Sequence, residues 1–170
     1  GEGGELRCVS CNVTGARPTG RDLVGAGSDF WAAAQIPGWE NQWHAGRVLS
    51  SDGSRLFFES FESLVSRDTN GAQDVYQWER AGSEKECFKD IGGELFIAGS
   101  GGCLSLISPG KGSRDSEFLD ASASGSDVFF TTAVSLVPQD PGLVDVYDAR
   151  ELGGFPSTES SEGSCEGESC

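Results

Sequence analysis

Apolar residues in this chain fall in short runs, separated by punctuation rich in Gly, Ser and Asp. No stretch carries apolar residues at i, i+3, i+4 and i+7 over helical length. Two runs, Arg55-Leu-Phe-Phe-Glu-Ser60 and Asp127-Val-Phe-Phe-Thr-Thr132, set paired aromatics on strand-length segments, where large flat side chains suit a pleated, half-buried surface. The pattern predicts strands at Leu6–Ser10, Arg47–Ser50, Arg55–Ser60 and Asp74–Trp78, then at Leu104–Ser108, Phe118–Asp120, Asp127–Thr132 and Asp145–Ala149. Asp52-Gly53 and Ser124-Gly125 stand just before the aromatic runs. Such dipeptides tolerate positive φ and close tight hairpins.

The same order of features occurs twice. The first copy reads Ser50-Ser-Asp-Gly-Ser-Arg-Leu-Phe-Phe58, then Ser63-Leu-Val-Ser-Arg-Asp68, then Asp74-Val-Tyr76. The second reads Ala123-Ser-Gly-Ser-Asp-Val-Phe-Phe130, then Ser135-Leu-Val-Pro-Gln-Asp140, then Asp145-Val-Tyr147. Gly4-Glu-Leu-Arg-Cys-Val-Ser10 precedes the first copy, and Gly102-Cys-Leu-Ser-Leu-Ile-Ser108 precedes the second; both read as a short strand ending at a Ser before a Gly-containing turn. Repeats of this kind are supersecondary units that bury their faces against their neighbours.

The segment from Ser51 to Tyr76 resembles the blades of TolB-like, WD40-like propeller repeats of secreted bacterial proteins, which carry S-x-D-G, a Leu-Val segment and D-T-N-G-x-x-D-V-Y. Residues 122–147 resemble them too, with a shortened Asp turn. The resemblance covers about two-thirds of the chain and implies an all-β fold of antiparallel, four-stranded, β-propeller-like blades, at least two of them and incomplete as a closed ring. It implies an architecture and not an activity. The expected layout is a repeat domain over 1–152, with unit one at about 4–80, a disulfide-closed hairpin insertion at about 81–103 and unit two at about 102–150; a Gly/Ser/Glu-rich tail with a Cys pair follows at 153–170. Two blades cannot close a ring, so further blades outside the chain or other copies of it are needed to complete the structure.

Composition narrows the setting. Twenty-five Gly among 170 residues suit many turns, and the formal net charge of −15 argues against nucleic acid or an anionic membrane as partner. No apolar run approaches the length of a membrane helix, and no signal peptide is visible. The opening GEGGEL and the absence of Met suggest a processed or partial chain. Six cysteines in three local groups, Cys8 with Cys11, Cys87 with Cys103, and Cys165 with Cys170, suggest short-loop disulfides and an extracellular or cell-surface location. Zinc is the rival reading of the Cys8-x-x-Cys11 pair, but His44 is the only histidine and no second pair has zinc spacing.

Candidate chemistry is sparse. Asp68, Asn70 and Asp74 resemble part of a calcium loop, with oxygen ligands at alternate positions and Gly71 at the bend. The competing reading is an Asx-type turn before the last strand. The second copy keeps Asp140 and Asp145 but loses the Asn and one residue. No G-x-S-x-G elbow or phosphate loop is present, no carboxylate pair stands out, and His44 sits among aromatics, so no catalytic residues or cofactor are assigned and the chain is expected not to be an enzyme. Trp31, Trp39, Trp43 and Trp78 are expected to fill space between sheets, with sugar stacking by an exposed Trp as the alternative. Asn12-Val13-Thr14 is a glycosylation sequon.

The tail, with its Gly, Ser and Glu, orders only against a surface, and a neighbouring subunit is the expected one. Incomplete blades with exposed strand edges invite strand exchange. The expected function is therefore an extracellular structural protein that assembles with itself into a filament or surface assembly. The alternative is a ligand- or protein-binding propeller module of a larger cell-surface protein, with calcium as its one candidate ion.

Overall fold

The aromatic runs and the Asp-Val-Tyr runs fold as antiparallel partners, and the turn chemistry before them is what sets their register. In the computed structural model, which describes residues 4–23, 30–37, 45–82, 95–97 and 100–151, ten strands and no helix are present among the described residues. They are β1 (Arg21–Leu23), β2 (Phe30–Ala32), β3 (Ala34–Gln35), β4 (Arg55–Ser60), β5 (Asp74–Arg80), β6 (Leu95–Ile97), β7 (Gly102–Leu106), β8 (Glu117–Ala121), β9 (Asp127–Thr132) and β10 (Asp145–Arg150). β1 and β2 form a small ribbon; β3-β4-β5-β7-β6 form a five-stranded sheet, and β10-β9-β8 a three-stranded one. Every pairing is antiparallel, and none of the sheets closes on itself.

The internal repeat is a repeat of structure. Phe58 stands opposite Tyr76 in the β4–β5 pair, and Phe130 opposite Tyr147 in the β9–β10 pair. Their rings lie 5.8 and 6.0 Å apart. Gly53 and Gly125 turn the chain into β4 and β9 with φ of 68° and 76°, the left-handed region that Gly enters without a Cβ clash. In each turn a side chain three residues ahead of the first strand residue caps the bend: Asp52 Oδ1 accepts from Ser54 N at 3.0 Å, and Ser124 Oγ accepts from Ser126 N at 3.3 Å.

The structure corrects the predicted strand list in three places. Leu6–Ser10 is not a strand; its end is bent by the Cys8–Cys11 disulfide, with Cα atoms 5.5 Å apart, and no strand pairs with it among the described residues. Arg47–Ser50 is reduced to one bridge, Leu49 with Leu56. The strand expected to open unit two, at Leu104–Ser108, runs instead from Gly102 to Leu106 and pairs with β5, so it is the fourth strand of unit one. Unit two is left with three strands among the described residues.

Two apolar clusters hold the sheets. Phe58, Leu64, Val65, Tyr76, Trp78, Leu104 and Leu106 cluster on one face of the larger sheet, with Val9, Ala34 and Leu56 packed against them. On its other face Phe57 and Val75 meet Phe118, Ala121, Val128 and Phe130 of the smaller sheet, with Ile107 and Tyr147 alongside. The Phe57 and Phe118 rings stack at 5.7 Å. This second cluster is the contact between the units. Of the tryptophans, Trp78 is buried and donates to Ser100 Oγ at 3.2 Å, as a core role predicts. Trp31 is two-thirds exposed, at 66%, and does not fill space between sheets; Trp39, Trp43 and His44 lie outside the described residues.

Candidate functional site

Of the predicted calcium residues, Asp68 and Asn70 lie in the turn between β4 and β5 and Asp74 opens β5; the oxygens of Asp68 and Asn70 bond to the fold itself. Asp68 Oδ1 accepts from Asn70 N at 3.4 Å, and Asn70 Oδ1 from Ala72 N at 2.9 Å, a pair of successive Asx turns. Tyr76 Oη donates to Asp68 Oδ2 at 2.5 Å and accepts from Leu64 N at 3.1 Å. Asp74 is fully buried; its Oδ1 accepts from the Ser108 hydroxyl, and its Oδ2 makes no well-formed hydrogen bond, though the Asn70 amide and the Gly110 N–H lie near enough to favour the charged form slightly. Burial, with the neighbouring Asp68 charge adding to it, pushes the Asp74 carboxyl up to about 6. Burial and the bond to Asp68 push the Tyr76 phenol well above its ordinary range.

Unit two builds the same lock. Tyr147 Oη donates to Asp140 Oδ2 and accepts from Leu136 N at 3.3 Å, while Asp140 Oδ1 accepts from Gly142 N at 2.7 Å. The hydrogen bond to Tyr147 holds the Asp140 carboxyl below the usual carboxylate range. In unit one the Tyr lies eight residues from its Asp and twelve from its Leu; in unit two the separations are seven and eleven. The shorter Asp turn thus shifts both contacts by one residue and keeps both. The repeated element is a Tyr–Asp lock on the Ser-Leu-Val loop. The Asn of the calcium-like turn is not part of it.

Charged side chains join the units. Arg55 Nη1 donates to Gly125 O at 3.0 Å, and its Nη2 to Glu151 Oε1 at 2.8 Å, with Glu79 at 3.5 Å. Glu59 is buried; it accepts from Phe118 N at 2.8 Å and from Gln35 Nε2 at 2.9 Å, and burial raises its carboxyl above the usual range. Backbone bonds from Ser51 N to Ala123 O and from Ser116 N to Gln73 O, both 2.8 Å, complete the seam. Neither Arg55 nor Glu59 carries a local sequence signal for the seam, because the partners that each takes there, Gly125, Glu151 and the Phe118 amide, lie more than fifty residues along the chain.

The counterpart surfaces of the units differ sharply. Val75 and Phe57 are completely buried against unit two, whereas their counterparts Val146 and Phe129 are 62% and 38% exposed. Leu64 and Val65 are buried beside Leu104 and Leu106 of β7; Leu136 and Val137, with no such strand beside them among the described residues, are 43% and 45% exposed. The outer edge of β10 has no strand on it among the described residues, whereas its counterpart β5 carries β7.

Of the predicted disulfides, Cys8–Cys11 is formed. Cys103 is disulfide-bonded, and its expected partner Cys87 lies outside the described residues, as do Cys165, Cys170 and the whole 153–170 tail. Asn12 of the sequon forms a local turn, its Oδ1 accepting from Thr14 N at 3.0 Å. Among the described residues no group of three or more His, Cys, Asp or Glu side chains is placed to hold a metal ion. Comparison with protein-family models, curated proteins and solved structures found no match.

Proposed function

We propose that this chain is a non-enzymatic structural module of a secreted or cell-surface protein, made of blade-like repeats of the TolB-like type, and that it works by assembling with further copies of itself. The observation that carries this reading is the contrast between Val75, wholly buried by the next unit, and its counterpart Val146, 62% exposed. A repeat unit whose docking face is left open is built to receive another unit. The β10 edge beside that face carries no strand among the described residues and offers its backbone groups as a template.

Other features support it. The Cys8–Cys11 disulfide and the disulfide at Cys103 suit an oxidising compartment. The net charge of −15 keeps such a surface away from nucleic acid and anionic membranes. The seam of Arg55, Glu59 and the Phe57–Phe118 stack gives a pattern for joining one unit to the next.

The test is the assembly state of the native, unreduced protein, by light scattering and negative-stain imaging over a range of concentrations. Concentration-dependent rings, oligomers or fibres are expected. A folded monomer at every concentration overturns the reading and leaves the chain as a binding module of a larger propeller.

A further inference from the structure

Among the described residues unit two has three strands, and the chain carries a second segment built like the fourth strand of unit one. β7 and its exit, Gly102-Cys-Leu-Ser-Leu-Ile-Ser108, align without gaps with Gly4-Glu-Leu-Arg-Cys-Val-Ser10. Gly, Leu and Ser coincide at the first, third and seventh positions. In the structure Gly4 to Cys8 are exposed and unpaired as strand, and the Leu6 side chain is 100% exposed. Val9 packs on the outer apolar cluster of unit one, as Ile107 packs on the cluster between the units. So 4–10 already lies against unit one as the end of a preceding unit's fourth strand would.

We propose that Gly4–Cys8 of a second copy of this chain adds to the open edge of β10 as the missing fourth strand. This rests on the assembly reading above and names the element that crosses. The β5–β7 pair supplies the register: Tyr76 opposite Leu106, Gln77 opposite Ser105, Trp78 opposite Leu104, Glu79 opposite Cys103. Carried to β10, it sets Cys8 opposite Tyr147, Arg7 opposite Asp148, Leu6 opposite Ala149, and Glu5 opposite Arg150. Both charged positions then face the opposite sign, and directly opposed charges of opposite sign stabilise an antiparallel pair.

The strand end fits as well. In unit one Ile107 N donates to Val75 O, and the Ser108 hydroxyl bridges Val75 N and Asp74 Oδ1. In the assembled edge Val9 N meets Val146 O, and Ser10 bridges Val146 N and Asp145. The Cys8–Cys11 turn begins where β7 ends, so the disulfide terminates the strand without shortening it. Leu6 comes beside Tyr147 and covers Leu136 and Val137, as Leu104 accompanies Leu64 and Val65. The body of the second copy then follows Ser10 onto the Phe129–Val146 face, as β8 follows Ser108 onto Phe57 and Val75. Such a contact joins two different surfaces, so it propagates as a ring or a filament.

The experiment is a charge-reversal cycle on the full chain, read as the midpoint concentration of assembly by light scattering. Leu6→Asp, at a side chain that touches nothing in the single copy, is expected to raise that midpoint by about thirtyfold while leaving the unfolding midpoint unchanged. Arg7→Glu and Asp148→Arg are each expected to weaken assembly by about fivefold or more, and the double variant to recover most of the loss. If the wild type assembles and these variants assemble equally well, the strand is another one: the present proposal fails and the assembly reading stands. If the wild type never assembles, both fail.

Discussion

Asp74 offers a measurable handle on the core of unit one. Its carboxyl is fully buried, one oxygen makes no well-formed hydrogen bond, and burial outweighs the bonds that favour the charge, so the neutral form is favoured in the fold. The carboxyl is pushed from 3.8 to about 6. The folded chain therefore holds this proton over a pH range where the unfolded chain has released it. With more protons bound to the folded state, stability falls as pH rises through that range. The contribution is fully present below about 4 and lost above about 6; a shift of about two units corresponds to about 3 kcal/mol. Asp74→Asn keeps an oxygen to accept from Ser108 and puts an uncharged amide where the unpaired oxygen sits. Urea unfolding of both proteins from pH 3.5 to 8 is the assay. The wild type and the variant should be of similar stability at the acid end. The variant should gain on the wild type by about 3 kcal/mol by pH 7. A difference that stays flat across the range would refute the reasoning, because it would mean that no charge is being forced into the core.

Further outcomes follow from the lock and the seam. Tyr76→Phe leaves the Asp68 carboxylate and the Leu64 amide without their partner in the core, and should cost about 2–3 kcal/mol in chemical unfolding; Tyr147→Phe, at the open end, should cost under about 1 kcal/mol. Glu59→Ala strips the acceptor from the buried Phe118 amide and from Gln35, and should cost about 1–3 kcal/mol while loosening unit two from unit one, seen as faster hydrogen exchange in β8. Millimolar calcium should leave the thermal midpoint unchanged, since Asp68 and Asn70 already spend their oxygens on backbone amides and Tyr76; a clear rise in the midpoint would show that the turn takes the ion.

The parts of this fold that were legible in the sequence are those set by local chemistry. Strands β4 and β9 begin and end where the Asp-Gly and Ser-Gly turns and the paired aromatics place them, and β5 and β10 start at the predicted Asp-Val-Tyr. What was illegible depends on partners far along the chain. β7 reads as the opening of unit two because it precedes it, yet it pairs backwards with β5 across the excursion from 81 to 101. Leu6–Ser10 has the composition of a strand and is none in the single copy, because a strand needs a neighbour and none lies there among the described residues. The short strands β1, β2 and β3, with two or three residues each, carry too little periodicity to be seen. Of the candidate site, the Asp68 turn was visible through its Asx residues, while the Tyr lock that joins it to the loop requires knowing that Tyr76 points back at Asp68.

The displacement of β7 also bears on how the chain is made. A nascent polypeptide emerges from its N-terminal end, and here the sheet of unit one cannot finish until Leu106 is out, well after Arg80 has ended β5. Between those moments Leu64, Val65 and Tyr76 wait beside a bare edge, so the growing chain passes through a stage in which its first unit has the same three-stranded form that its second unit shows among the described residues. A chaperone that shields bare β edges during synthesis would meet that form twice in one molecule. A cut between the units at the boundary drawn from the sequence would leave both fragments short of a strand.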